Sequence, residues 1–304
     1  MQANVFHLHT LSALHCGSGQ ATGPVDLPIA RARATHLPIV PGSSLRGVLR
    51  AQIEERDEPS AKALFGPRRA NHSGDSFAGA LSVGDATLLL LPVRALAGVV
   101  CWTTCPFVLE RYRRDLVRGG TTEPPATPAA PGAGEATVAS TTNLLGDADT
   151  LVLEDLDLRG RQSEEAEGWA RCIAAAIHPS EEEAPDAEAA RADLIERFAI
   201  LADDVFAYLA ETATEVRTRI AVDRDTGTVR DGQLWYEESL PAESVLWGVY
   251  ALSDANGGGR DDKARRAADL HESLPGAGEI LRLGGKAGIG HGLTRFLRPE
   301  AHRG

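Results

Sequence analysis

The stretch that most narrows what this chain can fold into runs from Leu37 to Arg50 and reads LPIVPGSSLRGVLR. A short apolar run, Leu37, Ile39 and Val40, meets Pro41-Gly42, a strong turn signal. Ser43 or Ser44 then offers an N-cap, and Leu45, Val48, Leu49 and Ile53 recur at helical spacing. The pattern predicts a strand, a tight turn and a helix that buries one face. Arg46 and Arg50 stand four apart and share another face close to the helix start. Free backbone N–H groups beside arginines suit a phosphate. An ordinary strand–turn–helix with solvated arginines would read the same way.

A chain of 304 residues has room for one large domain or two ordinary ones. Its 43% hydrophobic and 24% charged content is usual for a globular protein. No apolar run approaches the roughly 18 residues that cross a membrane. The opening residues, MQANVFHLHTLSALHCGSG, lack the basic region and apolar core of a signal peptide. Cys16, Cys101, Cys105 and Cys172 are scattered, which fits buried or free thiols in a reducing compartment rather than a zinc site. The expectation is a cytoplasmic protein with no membrane partner.

The net charge of −12 at first argues against nucleic acid. The charge is unevenly spread, however. Between Asp147 and Glu215 there are 19 acids and 5 bases, a net of −14, which leaves +2 on the rest. Met1 to Arg50 carries four arginines against one acid, Asp26. The acidity belongs to one segment, and the N-terminal part remains able to face a polyanion.

Along the chain, Asn4 to Ala13 alternates as a half-buried strand does. From His15 to His36 runs a long, glycine-bearing loop, a kind of segment that is usually functional or disordered. Leu81–Arg94 and Gly98–Thr104 read as strands, and Phe107–Val117 as a helix with Arg111, Arg113 and Arg114 exposed. The Pro- and Gly-rich stretch 119–140 reads as a disordered loop. An acidic helical insertion is expected over about 160–212, with an acidic run at Glu181–Glu183. A hairpin is expected over about 215–237, around DRDTGTVRDG. Helical residues follow at Asp262–Leu270, and the chain closes on LRLGGKAGIGHGLTRF, glycine-rich between apolar flanks. Strands and helices without regular alternation favour an α+β class.

Four stretches together resemble the RAMP superfamily, the RNA-binding subunits of CRISPR effector complexes. They are LHCGSG with DLPIAR and LPIVPGSSLRGVLR; GALSVGDATLLLLPVRALAGVVCWTTCPFVLERYRRDL; TEVRTRIAVDRDTGTVRDGQLWYEESLP; and GGKAGIGHG. The PVRALAG and TTCPFVLER pair resembles the backbone-subunit family of the type III-B (Cmr) complex rather than its type III-A counterpart. The resemblance spans nearly the whole chain. It implies a single domain with a ferredoxin-like (RRM-like) palm, insertions and a projecting hairpin thumb. The implied partners are guide RNA, target RNA, stacked copies of the same chain and other subunits of that complex. The implied activity is endonucleolytic cleavage of target RNA to a 2′,3′-cyclic phosphate and a 5′-hydroxyl, with a divalent metal required. A non-cleaving RNA-binding scaffold of the same fold is the alternative.

The catalytic residue that the resemblance implies is Asp26, in the DLP motif. Such cleavage uses the neighbouring 2′-hydroxyl as nucleophile, so the protein must position it, take its proton and offset charge at phosphorus. Asp26 is suited to accept that proton, or to hold magnesium or manganese weakly as one carboxylate among waters and phosphate oxygens. A turn-capping aspartate before Pro28 is the plainer reading. His15 titrates near neutral pH and is either a proton carrier or a histidine bonded to backbone. Tyr236 and Glu237, after the hairpin, complete the candidate catalytic set. Ser43, Ser44, Arg46 and Arg50 are assigned to guide phosphates. Gly284, Gly285, Gly288, Gly290 and Gly292 would let an RNA backbone pass close to the chain.

Overall fold

In a computed structural model of the chain, residues 2–19, 23–68, 77–179, 185–223, 227–255 and 265–299 are described. The expected acidic run at 181–183 and the hairpin tip at 224–226 lie outside them, as do 262–264 of the expected helix at 262–270.

The elements follow in order. β1 (Gln2–Thr10) and β2 (Ile39–Val40) lead to α1 (Gly42–Arg56), α2 (Glu58–Phe65), β3 (Leu81–Val83), β4 (Ala86–Arg94) and β5 (Val100–Thr104). Next come α3 (Pro106–Arg118), β6 (Glu135–Ala139), β7 (Thr150–Leu153), β8 (Leu156–Ser163), α4 (Glu164–Ile177), α5 (Pro185–Glu196), β9 (Phe198–Leu201) and α6 (Asp203–Thr212). The chain ends with β10 (Glu215–Val222), β11 (Val229–Ser239), β12 (Val245–Leu252), α7 (Ala267–Glu272), β13 (Glu279–Arg282) and β14 (Leu293–Leu297).

Among the described residues one sheet runs β13-β14-β1-β12-β4-β5-β9-β6-β8-β7, with β2 on β4 and β3 on β12. Within it, β1-α1-β4-β12-α7-β14 is a β-α-β-β-α-β unit whose strands lie in the order β14-β1-β12-β4. That is a ferredoxin-like palm, and the class is α+β. Everything from β5 to β11 is inserted between two strands of this unit.

Alternation along β1 sends its side chains to two covered faces. Phe6 packs with Tyr250 and Phe296 on the α1 side. His7, paired in register with Trp247, meets Tyr112 of α3. Burial lowers the His7 pKa to about 4, so the ring is neutral and shares a 2.7 Å hydrogen bond with the Tyr112 hydroxyl. Helices α3 and α4 thus pack on the second sheet face, α3 over β1 and β4 and α4 over β6 and β9.

Two expectations change. No serine caps α1: Pro41 takes the N-cap position without a side-chain bond, and Ser43 and Ser44 are exposed in the first turn. The carboxylate of Asp85 instead accepts from the Gly42 N–H at 2.8 Å. The stretch 119–140 is not wholly a loop, because Glu135–Ala139 is β6, paired with both β8 and β9. Upstream of it, the Trp169 indole donates to the Ala126 carbonyl at 2.8 Å and Arg113 donates to Pro125 at 3.1 Å. Backbone pairing and these two bonds order a composition that has few large apolar anchors of its own.

The residues expected to form a hairpin lie in β10 and β11, a separate two-stranded sheet. Val216, Ile220, Leu234 and Tyr236 on it are 40–53% exposed. Among the described residues no helix is long and apolar enough to cross a membrane.

Candidate functional site

Three segments meet at the base of the hairpin: the long loop after β1, the end of β11 and the glycine-rich turn before β14. The loop lies along β11 as a short parallel strand. Leu27 N–H donates to the Tyr236 carbonyl at 3.1 Å, and Glu238 N–H to the Leu27 carbonyl at 3.0 Å. Asp26 is exposed, and its Oδ2 accepts from the Tyr236 N–H at 2.8 Å. This fixes the carboxylate at the hairpin base and leaves its other oxygen without a partner among the described residues. The aspartate therefore does anchor a turn, but at the surface and with half its acceptor capacity unused.

His15 is anchored two residues further along the same strand edge. Its Nδ1 lies 2.6 Å from the Glu238 carbonyl, which can only accept, so Nδ1 carries the proton and Nε2 is the acceptor in the neutral ring. Gly17 passes so close to the ring that a Cβ there would sit 2.7 Å from Nε2. The Tyr236 side chain is 40% exposed.

Glu237 points to the other face of the hairpin and is 3% exposed. Its carboxylate accepts from Trp235 Nε1 at 2.7 Å, Lys286 Nζ at 2.6 Å and Arg219 Nε at 3.2 Å. Burial by itself would raise the pKa. The three donors outweigh it and hold the group down at about 2. Glu237 ties the hairpin to the glycine turn through Lys286 and to β10 through Arg219. Glu238 is engaged likewise, accepting from Arg31 at 2.6 Å, Thr214 at 3.0 Å and the Ile29 N–H at 3.1 Å.

The glycine-rich turn closes over this base. Gly285 N–H donates to the His15 carbonyl at 2.8 Å. A Cβ on Gly284 would sit 2.3 Å from that same carbonyl oxygen, and one on Gly292 2.0 Å from the Leu283 oxygen. Glycine is required at both for the fold itself. At Gly288 and Gly290 a Cβ would meet nothing within 4 Å, so these two face open space. His291 is buried with its Nδ1 unpartnered, and burial together with Arg217 and Arg219 lowers its pKa.

Arg46 and Arg50 lie elsewhere. Arg46 donates to the Phe65 carbonyl at 2.8 Å and Arg50 to the Gly66 carbonyl at 3.0 Å. Both guanidiniums thus sit on the C-terminal end of α2, where unpaired carbonyls and the helix dipole attract cations. Each guanidinium thereby clamps α1 to α2 through one of its N–H groups. No group of three or more His, Cys, Asp or Glu among the described residues is placed to hold a metal. At the hairpin base Asp26 offers an oxygen with no partner among the described residues, which fits a weakly held ion completed by water and phosphate oxygens.

Trp235, Lys286 and Arg219 escaped the sequence reading. The signal was present in the period-two alternation of Trp235 and Glu237, which places both on one strand face.

A ferredoxin-like palm with a long insertion, a projecting hairpin and a closing glycine turn defines a class, and a family model agrees. The chain belongs to the RAMP superfamily, whose model matches residues 7–295. It is 34% identical, over 99% of its own length and 97% of the relative's, to a Pyrococcus furiosus protein described as "CRISPR system Cmr endoribonuclease Cmr4". Its fold matches oligomeric Cmr4 from Pyrococcus furiosus with a TM-score of 0.72 at 26% identity, covering 98% of this chain and 99% of that one. A subunit of a type III-B Cmr-beta complex bound to cognate target RNA shares the fold at 17% identity, with a TM-score of 0.70 over 98% and 97% of the two chains.

Proposed function

We propose that this chain is a backbone subunit of a type III-B CRISPR effector complex, binding guide RNA and cutting complementary target RNA endonucleolytically. The relative described as an endoribonuclease supports the activity, and the oligomeric relative supports stacking of copies. The observation that carries the reading is Asp26: exposed, fixed by the Tyr236 N–H, and holding one oxygen open at the hairpin base.

In this reading the RNA strand passes the hairpin base with a 2′-hydroxyl toward the open Asp26 oxygen. The carboxylate orients that hydroxyl and receives its proton as the 2′-oxygen bonds to phosphorus; the P–O5′ bond breaks and the departing 5′-oxygen takes a proton from water. His15, buried and bonded through Nδ1 to the Glu238 carbonyl, holds the loop that carries Asp26 against β11. Tyr236 presents its ring beside the reacting strand, and Glu237 holds the glycine turn in register. In the other role open to it, the free Asp26 oxygen and the RNA would instead hold a magnesium or manganese ion, which would supply charge compensation at the phosphate.

The test is Asp26→Ala in the complex assembled with guide RNA, scored on a matched target. Cutting is expected to fall by about 10²-fold or more while target binding is kept. Unchanged cutting would remove Asp26 from the mechanism. Absence of cutting by the wild-type complex as well would leave the RNA-binding scaffold as the function, with Asp26 serving only as the loop anchor that its Tyr236 bond makes it.

A further inference from the structure

Helix α3 buries Pro106, Val108, Leu109, Tyr112 and Leu116. Its opposite face presents Phe107, Arg111, Arg114 and Arg118 to solvent along one side. Phe107 is 40% exposed, and the Arg111 guanidinium lies over its ring at 5.5 Å. Arg111 and Arg114 have no carboxylate partner among the described residues. Glu110 stands four residues before Arg114 yet makes no ion pair with it. Arg118 bonds Asp115 at 3.1 Å, with 67% of its side chain still exposed. Asp203 accepts from the Phe107 N–H at 3.0 Å at the start of this face, and beyond it Arg111 and Arg114 stand as two basic side chains without an ion pair among the described residues, on a molecule of net charge −12.

We propose that the exposed face of α3 is a contact surface for the backbone of single-stranded RNA. The inference rests on the RNA-binding function proposed above and adds a surface outside the hairpin base and the glycine turn. Two arguments carry it. Arginine forks match phosphate oxygens in pairs, and the Phe107 ring holds one fork flat while offering a stacking face. From Arg111 to Arg118 the helix advances about 10 Å at ~1.5 Å per residue. That reach covers two or three phosphates at an axial rise of ~3.4 Å per nucleotide.

The experiment measures binding of the full chain to a fluorescently labelled 40-nucleotide single-stranded RNA of mixed sequence between 0.05 and 0.3 M salt. Three proteins are compared: wild type, R111Q/R114Q and the control R161Q/R171Q. The control removes two charges from side chains that are 70% and 62% exposed on β8 and α4. Losing two phosphate contacts, each worth ~0.7 in the slope of log K against log salt, should lower the slope by about 1.4. At ~0.15 M salt that is roughly tenfold weaker binding, with the melting temperature and the control unchanged. Equal slopes for wild type and R111Q/R114Q overturn the proposal, as does an equal loss in the control. So does a variant that sediments as a smaller species at an unchanged slope, which would make the face a contact between copies. If wild type itself fails to bind, the RNA-binding function falls, not the assignment of α3 alone.

Discussion

Replacing Glu237 by glutamine removes one charge from the point where hairpin, glycine turn and long loop are held together. The size of the effect follows from the carboxyl's displacement. A group that would titrate near 4.5 in the unfolded chain is held at about 2 in the folded one. The folded state therefore resists protonation. Its contribution is complete above about 4.5 and drains away as pH falls toward about 2. At neutral pH the displacement corresponds to at most about 3 kcal/mol. Lys286 and Arg219 are 33% and 32% exposed, so solvent screening takes a share and about 2 kcal/mol is the working figure. Urea unfolding of wild type and E237Q at pH 7 should show that gap, and at pH 3 the gap should narrow. A cycle with Lys286→Met isolates the direct coupling, expected at about 1 kcal/mol. Two proteins within about 0.5 kcal/mol at pH 7, or a gap that stays constant on acidification, would refute the reasoning.

Two further outcomes separate fold from function. R46M/R50M should destabilise by about 1 kcal/mol per lost carbonyl bond and leave RNA affinity unaltered. A drop in affinity at unchanged stability, read by titration and melting, would return these arginines to the phosphates. Gly292→Ala forces a Cβ to 2.0 Å from the Leu283 oxygen at a φ of +82°. It should cost upward of about 2 kcal/mol in thermal unfolding. Gly288→Ala, in open space, should change stability by less than about 0.5 kcal/mol, so any lost RNA binding there reports on RNA alone.

Local chemistry was legible wherever one element decided its own shape. The Pro41-Gly42 turn and the apolar spacing of Leu45, Leu49 and Ile53 announced α1, and those three side chains are buried. Phe198–Leu201 is a buried strand inside the stretch expected as a helical insertion, and nothing in it told that β6 and β5 would flank it. Glu135–Ala139 was missed because five small residues between prolines and glycines carry no pattern of their own. They are a strand only because β8 and β9 offer hydrogen bonds on both sides.

The sequence by itself determined the class of chain, the long loop that carries Asp26, the uneven charge and the glycines that make the last turn. These depend on residue type and short spacing, which act within one segment. Tertiary structure alone decided who answers whom across hundreds of residues. It set the Arg46 and Arg50 guanidiniums on α2, fastened Asp26 to the Tyr236 N–H, and surrounded Glu237 with three donors. A hydrogen bond or an ion pair needs two groups within about 3 Å, and spacing along a chain does not say which distant groups the packing of a core will bring that close.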